Sequence, residues 1–117
     1  MKRFAAAIAM TVAMIAATPV LAHTTVRETS IAENATLATA PATFKIVFSG
    51  ATGLAHVTLT DSTGRPVVLN YTPPRKMATS FAIPLPTLSP GAYTLSWRTI
   101  AHDGHAMPGE IHFTISP

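Results

Sequence analysis

A carboxylate and an imidazole stand two residues apart in one short polar turn, at Asp103 and His105. They lie in the stretch from Trp97 to Phe113, which has the pattern of a strand, a polar turn and a second strand. In an extended backbone, residues i and i+2 project to the same side, so one metal ion can contact both. Carboxylate oxygen and imidazole nitrogen suit a borderline divalent cation such as Cu(II) or Zn(II). Two ligands make a weak site, so a metal here requires a third.

The first 22 residues have the pattern of a secretory signal peptide. Lys2 and Arg3 give a positively charged start, and residues 4–17 form an apolar run that only Thr11 interrupts. The small or apolar residues that lead up to and include Ala22 predict cleavage after Ala22. The run is shorter than the ~20 apolar residues that span a bilayer, which disfavours a membrane anchor. The sequence therefore predicts export and one mature domain, residues 23–117.

The composition excludes several classes of function. The chain has eight Lys and Arg residues against five Asp and Glu, but the predicted cut removes two of the basic residues. Six basic residues then face five acidic ones, which leaves no broad basic footprint for nucleic acid. The chain has no cysteine, so disulfides, thiolate metal sites and cysteine catalysis are excluded.

The predicted cut makes His23 the first residue of the exported protein. Its free α-amine and its own Nδ1 can chelate one metal together, an arrangement called a histidine brace, which costs little extra entropy. His105 adds a third nitrogen in a near-planar set, and Asp103 adds an oxygen from the side or apex. Tetragonal coordination by nitrogen and oxygen indicates Cu(II) rather than zinc. We therefore predict a site for one Cu(II) ion, if the fold brings the N-terminus to the turn.

Short alternating segments separated by turns predict about seven β-strands in the mature part, with no helix. The clearest alternations place three sets of apolar residues on one strand face each: Phe44, Ile46 and Phe48; Tyr93, Leu95 and Trp97; Ile111, Phe113 and Ile115. The other expected strands are residues 24–30, 55–60, 66–71 and 77–85; turns are expected at 49–53, 61–64 and 89–91, and a loop over 31–41. This pattern predicts an all-β sandwich.

The C-terminal third resembles a known family. It contains the pattern Tyr93-x-Leu-x-Trp97-Arg98-x-x-x-x-Asp103-Gly104-His105-x-x-x-Gly109-x-x-x-Phe113. This resembles the closing motif of the CopC family of periplasmic copper-resistance proteins, and the start at His23 is similar too. The resemblance covers nearly the whole predicted mature chain. It implies an immunoglobulin-like Greek-key β-sandwich or barrel, a periplasmic location, and Cu(II) bound by His23, Asp103 and His105.

The chain departs from that family's pattern at three places. Thr25 stands at the third mature position, where some members have a further histidine. Met77 and Met107 are the only methionines of the predicted mature chain and lie far apart, so the Met-rich loop that some members use for Cu(I) is missing. Gly50 or a neighbour replaces an acidic residue after the strand that ends at Ser49. The resemblance therefore implies a Cu(II) site with altered surroundings.

The remaining histidines have simpler interpretations. His56 and His112 fall on outward strand faces, where a solvated imidazole is expected. His102 has the opposite parity to Asp103 and His105, so it is an extra ligand or a supporting group only if the turn reverses the chain there.

Three functions fit these residues. The first is a monomeric, non-enzymatic Cu(II) carrier that sequesters copper or delivers it to an inner-membrane transporter of the CopD type, the partner that the resemblance implies. The second is a copper monooxygenase with a histidine brace that attacks polysaccharides on a flat aromatic surface. It is disfavoured because Asp103 would crowd the copper and the single Trp has core parity. The third is a metal-free immunoglobulin-like interaction module, which requires His23 to lie far from Asp103.

Overall fold

The computed structural model describes residues 25–117, and every regular element within that range is a β-strand. The strands are β1 (Val26–Thr29), β2 (Ala35–Leu37), β3 (Thr43–Asp61), β4 (Pro66–Val67), β5 (Ala78–Pro84), β6 (Gly91–Ile100) and β7 (Ala106–Ile115). Within this part of the chain, no helix is long and apolar enough to cross a membrane. The prediction of an all-β domain with about seven strands is confirmed. The predicted signal peptide and His23 lie outside the described residues.

The strands form a β-sandwich whose two layers share β3. The first half of β3 pairs with β1 and β5, and its second half pairs with β4 and β6, always antiparallel. β6 and β7 form one long hairpin that runs from the pair Gly91–Ile115 to the pair Ile100–Ala106. β2 adds to the edge of β7 in parallel. The turn that carries Asp103 and His105 therefore lies at one end of this layer.

The core follows the alternations read from the sequence. All three predicted apolar sets, on β3, β6 and β7, are buried. The rings of Phe44 and Trp97 pack with their centroids 6.2 Å apart, and those of Tyr93 and Phe113 stack at 5.8 Å. Aromatic pairs at such separations contribute beyond their buried area. Since no cysteine is present, this apolar core supplies the stability of the domain.

The turn predicted at residues 49–53 is wrong, because β3 continues through it. Thr52 is buried, and its hydroxyl donates a hydrogen bond to the carbonyl oxygen of Ile100 at 3.2 Å. A Cβ on Gly53 would lie 3.3 Å from the same oxygen, so the missing side chain permits this close approach. The small residues that suggest a turn thus allow two strands to lie close together. The pairing of β3 with β5 has an irregular register between Val47 and Thr52.

The strand predicted over residues 55–60 is part of β3 and contains a β-bulge, so it does not alternate regularly. The pairing with β6 shifts between Ala55 and Thr58, and His56 has a φ of 53°. Leu54 and Leu59 are the buried residues here. They are an odd number of positions apart, and one extra bulged residue lets both face the core.

Two other segments differ from expectation. The predicted loop over 31–41 contains the three-residue strand β2, which is too short to show an alternation and is held by its parallel pairing with β7. The predicted strand over 66–71 is reduced to Pro66–Val67, and Val68 is exposed. The strand predicted over residues 77–85 is confirmed as β5, which contains Pro84 and, within residues 25–117, pairs with β3 alone, as suits an edge strand.

Candidate metal centre

The β6–β7 hairpin ends in a tight three-residue connection. The N–H of Ala101 donates to the carbonyl oxygen of His105 at 2.9 Å, and the N–H of Gly104 donates to that of Ala101 at 2.9 Å. Gly104 has a φ of 88°. This is the geometry of a type I turn followed by a left-handed residue, where glycine is preferred. The turn therefore holds Asp103 and His105 on a defined backbone.

Asp103 and His105 form a hydrogen-bonded pair. The N–H of His105 donates to Oδ1 of Asp103 at 3.0 Å, and Nδ1 of the His105 ring lies 2.8 Å from Oδ2. The hydrogen bond from the His105 backbone, followed by that from its ring, lowers the pKa of the Asp103 carboxyl. The ionised carboxylate accepts a hydrogen bond from Nδ1–H, which leaves the lone pair of the imidazole on Nε2.

Pairs of this kind occur beside the metal in many metal sites. A metal-binding histidine usually donates its other ring N–H to a carboxylate, which fixes the tautomer and the ring orientation. The structure thus brings together two of the three predicted ligands. Among residues 25–117, no group of three or more His, Cys, Asp or Glu side chains is arranged to hold a metal ion. A metal at this turn therefore needs a further donor, which is the role predicted for His23.

The start of the described chain lies beside this hairpin. The N–H of Thr25 donates to Oγ of Ser49 at 2.9 Å, and the N–H of Ser49 donates to the carbonyl oxygen of Thr25 at 2.8 Å. Thr25 also lines a small cavity with Thr99 and Met107. Thr99 and Met107 are paired across the hairpin. They lie next to Ile100 and Ala106, the last pair before the turn. The first described residue is therefore close to the strands that support the turn.

His112 is not the solvated imidazole that its outward position predicts. Its Nδ1 lies 2.8 Å from Oε2 of Glu33, and its Nε2 lies 3.0 Å from Oε2 of Glu110. The hydrogen bond to Glu33 raises the pKa of His112, and the hydrogen bond from the His112 backbone lowers that of Glu33. A carboxylate at each ring nitrogen favours the protonated imidazole. His112 therefore links β7 to the segment before β2 instead of ligating a metal.

His56 and His102, the other two histidines in residues 25–117, take no part in the hydrogen bonds that join Asp103 and His105. His102 is exposed and lines a groove together with His56 and Met77. These three residues are far apart along the chain, so no local pattern groups them. The odd spacing of Leu54 and Leu59 is the local signal for the bulge at His56, but the grouping depends on tertiary structure.

Comparisons with known proteins agree with one another. Residues 26–116 match the family model described as the CopC domain. The fold is similar to that of CopC from Methylosinus trichosporium OB3b, with a TM-score of 0.67 and 25% identity over 81% of this chain and 95% of that one. It is also similar to PcoC, a methionine-rich copper resistance protein from Escherichia coli, with a TM-score of 0.67 and 23% identity over 81% of this chain and 100% of that one. No curated protein sequence gives a match.

Proposed function

This chain belongs to the CopC family, and we propose that it is a periplasmic copper carrier that binds one Cu(II) ion through His23, Asp103 and His105. The family supports copper as the metal. The hydrogen-bonded pair on the hairpin turn supports the location of the site.

The direction of β1 carries this proposal. Val26 lies opposite Phe48, and the two strands run antiparallel. If β1 is extended toward the N-terminus from Thr25, the chain runs along β3 toward Gly53. Gly53 pairs with Ile100 on β6. Two further extended residues span about 7 Å. An exported chain that begins at His23 thus has the reach and the direction to meet the turn, which disfavours the metal-free module.

Each ligand has a distinct role in the proposed site. His23 binds copper with its α-amine and Nδ1, and His105 binds with Nε2. Asp103 orients the His105 ring, and because each carboxylate oxygen has two lone pairs, it can keep these hydrogen bonds and offer an oxygen to the metal. The α-amine has an ordinary pKa of about 7.7–8.0, so copper must displace a proton from it.

A carrier fits the surroundings of the turn better than a copper monooxygenase does. Trp97 is 6% exposed and packs against Gly109, so the single Trp offers no flat aromatic surface to a polysaccharide. The proposed carrier acts as a monomer and passes copper to a membrane transporter of the CopD type.

Titration of the exported protein with Cu(II), followed by electron paramagnetic resonance, tests the proposal. We expect one equivalent of tetragonal copper with nitrogen hyperfine coupling. His105→Ala should abolish the tight site, and Asp103→Asn should weaken it by about 10- to 100-fold. His102→Ala is the matched control, because His102 is exposed, adjoins the turn and lies outside the pair. Unchanged affinity in the His105 variant would refute the proposed site.

A further inference from the structure

A short segment of β3, residues 49–52, contacts both parts of the proposed copper site. Its sequence is Ser-Gly-Ala-Thr, without a charged side chain. The pairing of β3 with β5 is irregular between Val47 and Thr52, so the ladder of backbone hydrogen bonds is interrupted here. Side-chain hydroxyls can serve as partners of backbone groups where a ladder is interrupted. Ser49 and Thr52, at the two ends of this segment, both do so.

Ser49 holds the start of the described chain through two hydrogen bonds. The N–H of Ser49 donates to the carbonyl oxygen of Thr25 at 2.8 Å, and the N–H of Thr25 donates to Oγ of Ser49 at 2.9 Å. In a regular antiparallel pair, the second bond would go to the backbone carbonyl oxygen of Ser49. The hydroxyl therefore takes the place of that carbonyl and fixes Thr25, which comes two residues after His23.

Thr52 holds the base of the hairpin turn. Its side chain is only 1% exposed, and Oγ1 lies 3.2 Å from the carbonyl oxygens of both Ile100 and Gly53. Ile100 and Gly53 form the pair of β3 with β6 that is nearest the turn. Ala101 follows Ile100, and its N–H and carbonyl oxygen close the turn through hydrogen bonds. The Thr52 hydroxyl thus contacts the backbone directly before the turn that carries the candidate ligands.

The proposed ligands come from two segments that are far apart along the chain. His23 lies at the start of the predicted mature chain, whereas Asp103 and His105 lie on the hairpin near its end. If neither segment were fixed, copper binding would have to order both, and the entropy cost would reduce the affinity. A common support for both segments removes part of that cost before the metal arrives.

We propose that Ser49 and Thr52 are positioning residues of the copper site. Ser49 holds the arm that leads to His23, and Thr52 holds the turn, so one segment of β3 sets the distance between the two parts. This inference rests on the proposed function, because it assigns His23 to the site. Loss of either hydroxyl leaves every ligand in place and weakens Cu(II) binding through their looser arrangement.

The chain offers a matched control for each contact. At the other end of β1, the N–H of Lys45 donates to Oγ of Ser30 at 2.9 Å, and the N–H of Ser30 donates to the carbonyl oxygen of Lys45 at 2.9 Å. Near the opposite end of the pairing between β3 and β6, Oγ1 of Thr60 donates to the carbonyl oxygen of Thr94 at 3.4 Å. Ser30 and Thr60 therefore make contacts of the same kinds away from the turn.

Cu(II) affinity, measured for the exported protein by competition with a chelator, tests Ser49 first. Ser49→Ala should weaken binding about two- to ten-fold, the ratio that corresponds to one net hydrogen bond. Ser30→Ala should bind copper as the parent does, although both variants should lower the melting temperature by similar amounts. Ser49→Thr keeps the hydroxyl and should restore the affinity. Parent-like affinity in Ser49→Ala, or equal weakening by Ser30→Ala, would refute the role of Ser49.

The same titration tests Thr52. Thr52→Val removes the hydroxyl and keeps the branched shape, and we expect it to weaken Cu(II) binding by a similar factor. Thr60→Val should bind copper as the parent does. If Thr52→Val also binds as the parent does, or if Thr60→Val weakens binding equally, the role of Thr52 is refuted.

Nuclear magnetic resonance without copper tests the positioning itself, independently of metal affinity. In Ser49→Ala, the amide proton of Thr25 should exchange with solvent faster than in the parent, because its acceptor is lost. In Ser30→Ala, exchange of the Thr25 amide should not change. An unchanged Thr25 amide in Ser49→Ala would overturn the claim that the hydroxyl holds the arm.

One added alanine before His23 separates this inference from the proposed function, since it converts the α-amine into an amide. In that background the arm no longer supplies the amine, so Ser49→Ala should cause no further loss of Cu(II) affinity. If the added alanine leaves binding unchanged, the proposed function fails. If it weakens binding while Ser49→Ala and Thr52→Val bind as the parent does, only the positioning role fails.

Discussion

Replacement of Gly109 by alanine should destabilise the domain through one identifiable contact. Gly109 lies opposite Trp97 in the β6–β7 hairpin. A Cβ on Gly109 would lie 2.7 Å from Cζ2 of Trp97 and still closer to Cε2 and Nε1, well inside van der Waals contact. The indole cannot easily move away, because it is buried against Phe44.

The size of the loss follows from two opposing effects. Overpacking a core costs about 1–3 kcal/mol, and replacing glycine by alanine returns about 0.4–1 kcal/mol through the unfolded chain. We expect a net loss of about 1–2 kcal/mol, which lowers the melting temperature by about 4–16 °C in a domain of this size. Gly53→Ala, whose Cβ would meet Ile100 at a milder 3.3 Å, should remain within about 1 kcal/mol of the parent.

Thermal and urea denaturation measure this prediction, and a double-mutant cycle isolates its cause. Trp97→Phe removes most of the atoms that the new Cβ would meet, so Gly109→Ala should cost less in that background than in the parent. An equal cost in both backgrounds would show that the contact between Gly109 and Trp97 is not responsible. A stabilised Gly109→Ala single variant would refute the reasoning altogether.

Three further predictions concern charge and the turns. The raised pKa of His112 means that its contribution to stability is fully present below the unfolded value near 6.5 and is lost as pH rises through the folded value; Glu33→Gln should flatten this part of the unfolding free energy measured against pH. Cu(II) affinity should fall about ten-fold per pH unit below the pKa of the α-amine, as measured by competition titration; a flat profile would exclude the amine as a ligand. Gly104→Ala and Gly64→Ala both strain a left-handed residue with open space around it, so thermal melting should show similar losses of stability. In copper titrations only the Gly104 variant should bind Cu(II) more weakly, and an equal effect of both would contradict the location of the site.

The sequence predicted those parts of the fold whose residues alternate regularly. On β6 and β7, each apolar residue that was expected inward is buried. Ser49, Gly50 and Gly53 suit turns, so the sequence predicts two strands and a turn where the structure has the single strand β3. In the structure, Gly53 instead allows Ile100 to lie close. A small residue permits either outcome, and only the partner strand decides between them.

The candidate site was predictable only where its residues are close in sequence. Asp103 and His105 share one turn, and the structure holds them as a pair. The contact of Glu33 with His112 spans 79 positions and leaves no local pattern. The pairing of Trp97 with Gly109 likewise depends on register across the hairpin, although both residues stand in the closing motif.

Copper binding by the exported protein, compared with the same protein carrying one additional alanine before His23, tests the central claim most directly. The addition converts the α-amine of His23 into an amide and leaves every side chain in place. We expect the parent to bind one Cu(II) ion tightly with several nitrogen ligands, and the extended protein to lose tight binding and some of the nitrogen hyperfine coupling. Equal affinity and identical spectra for the two proteins would contradict the claim that His23 completes the site at Asp103 and His105.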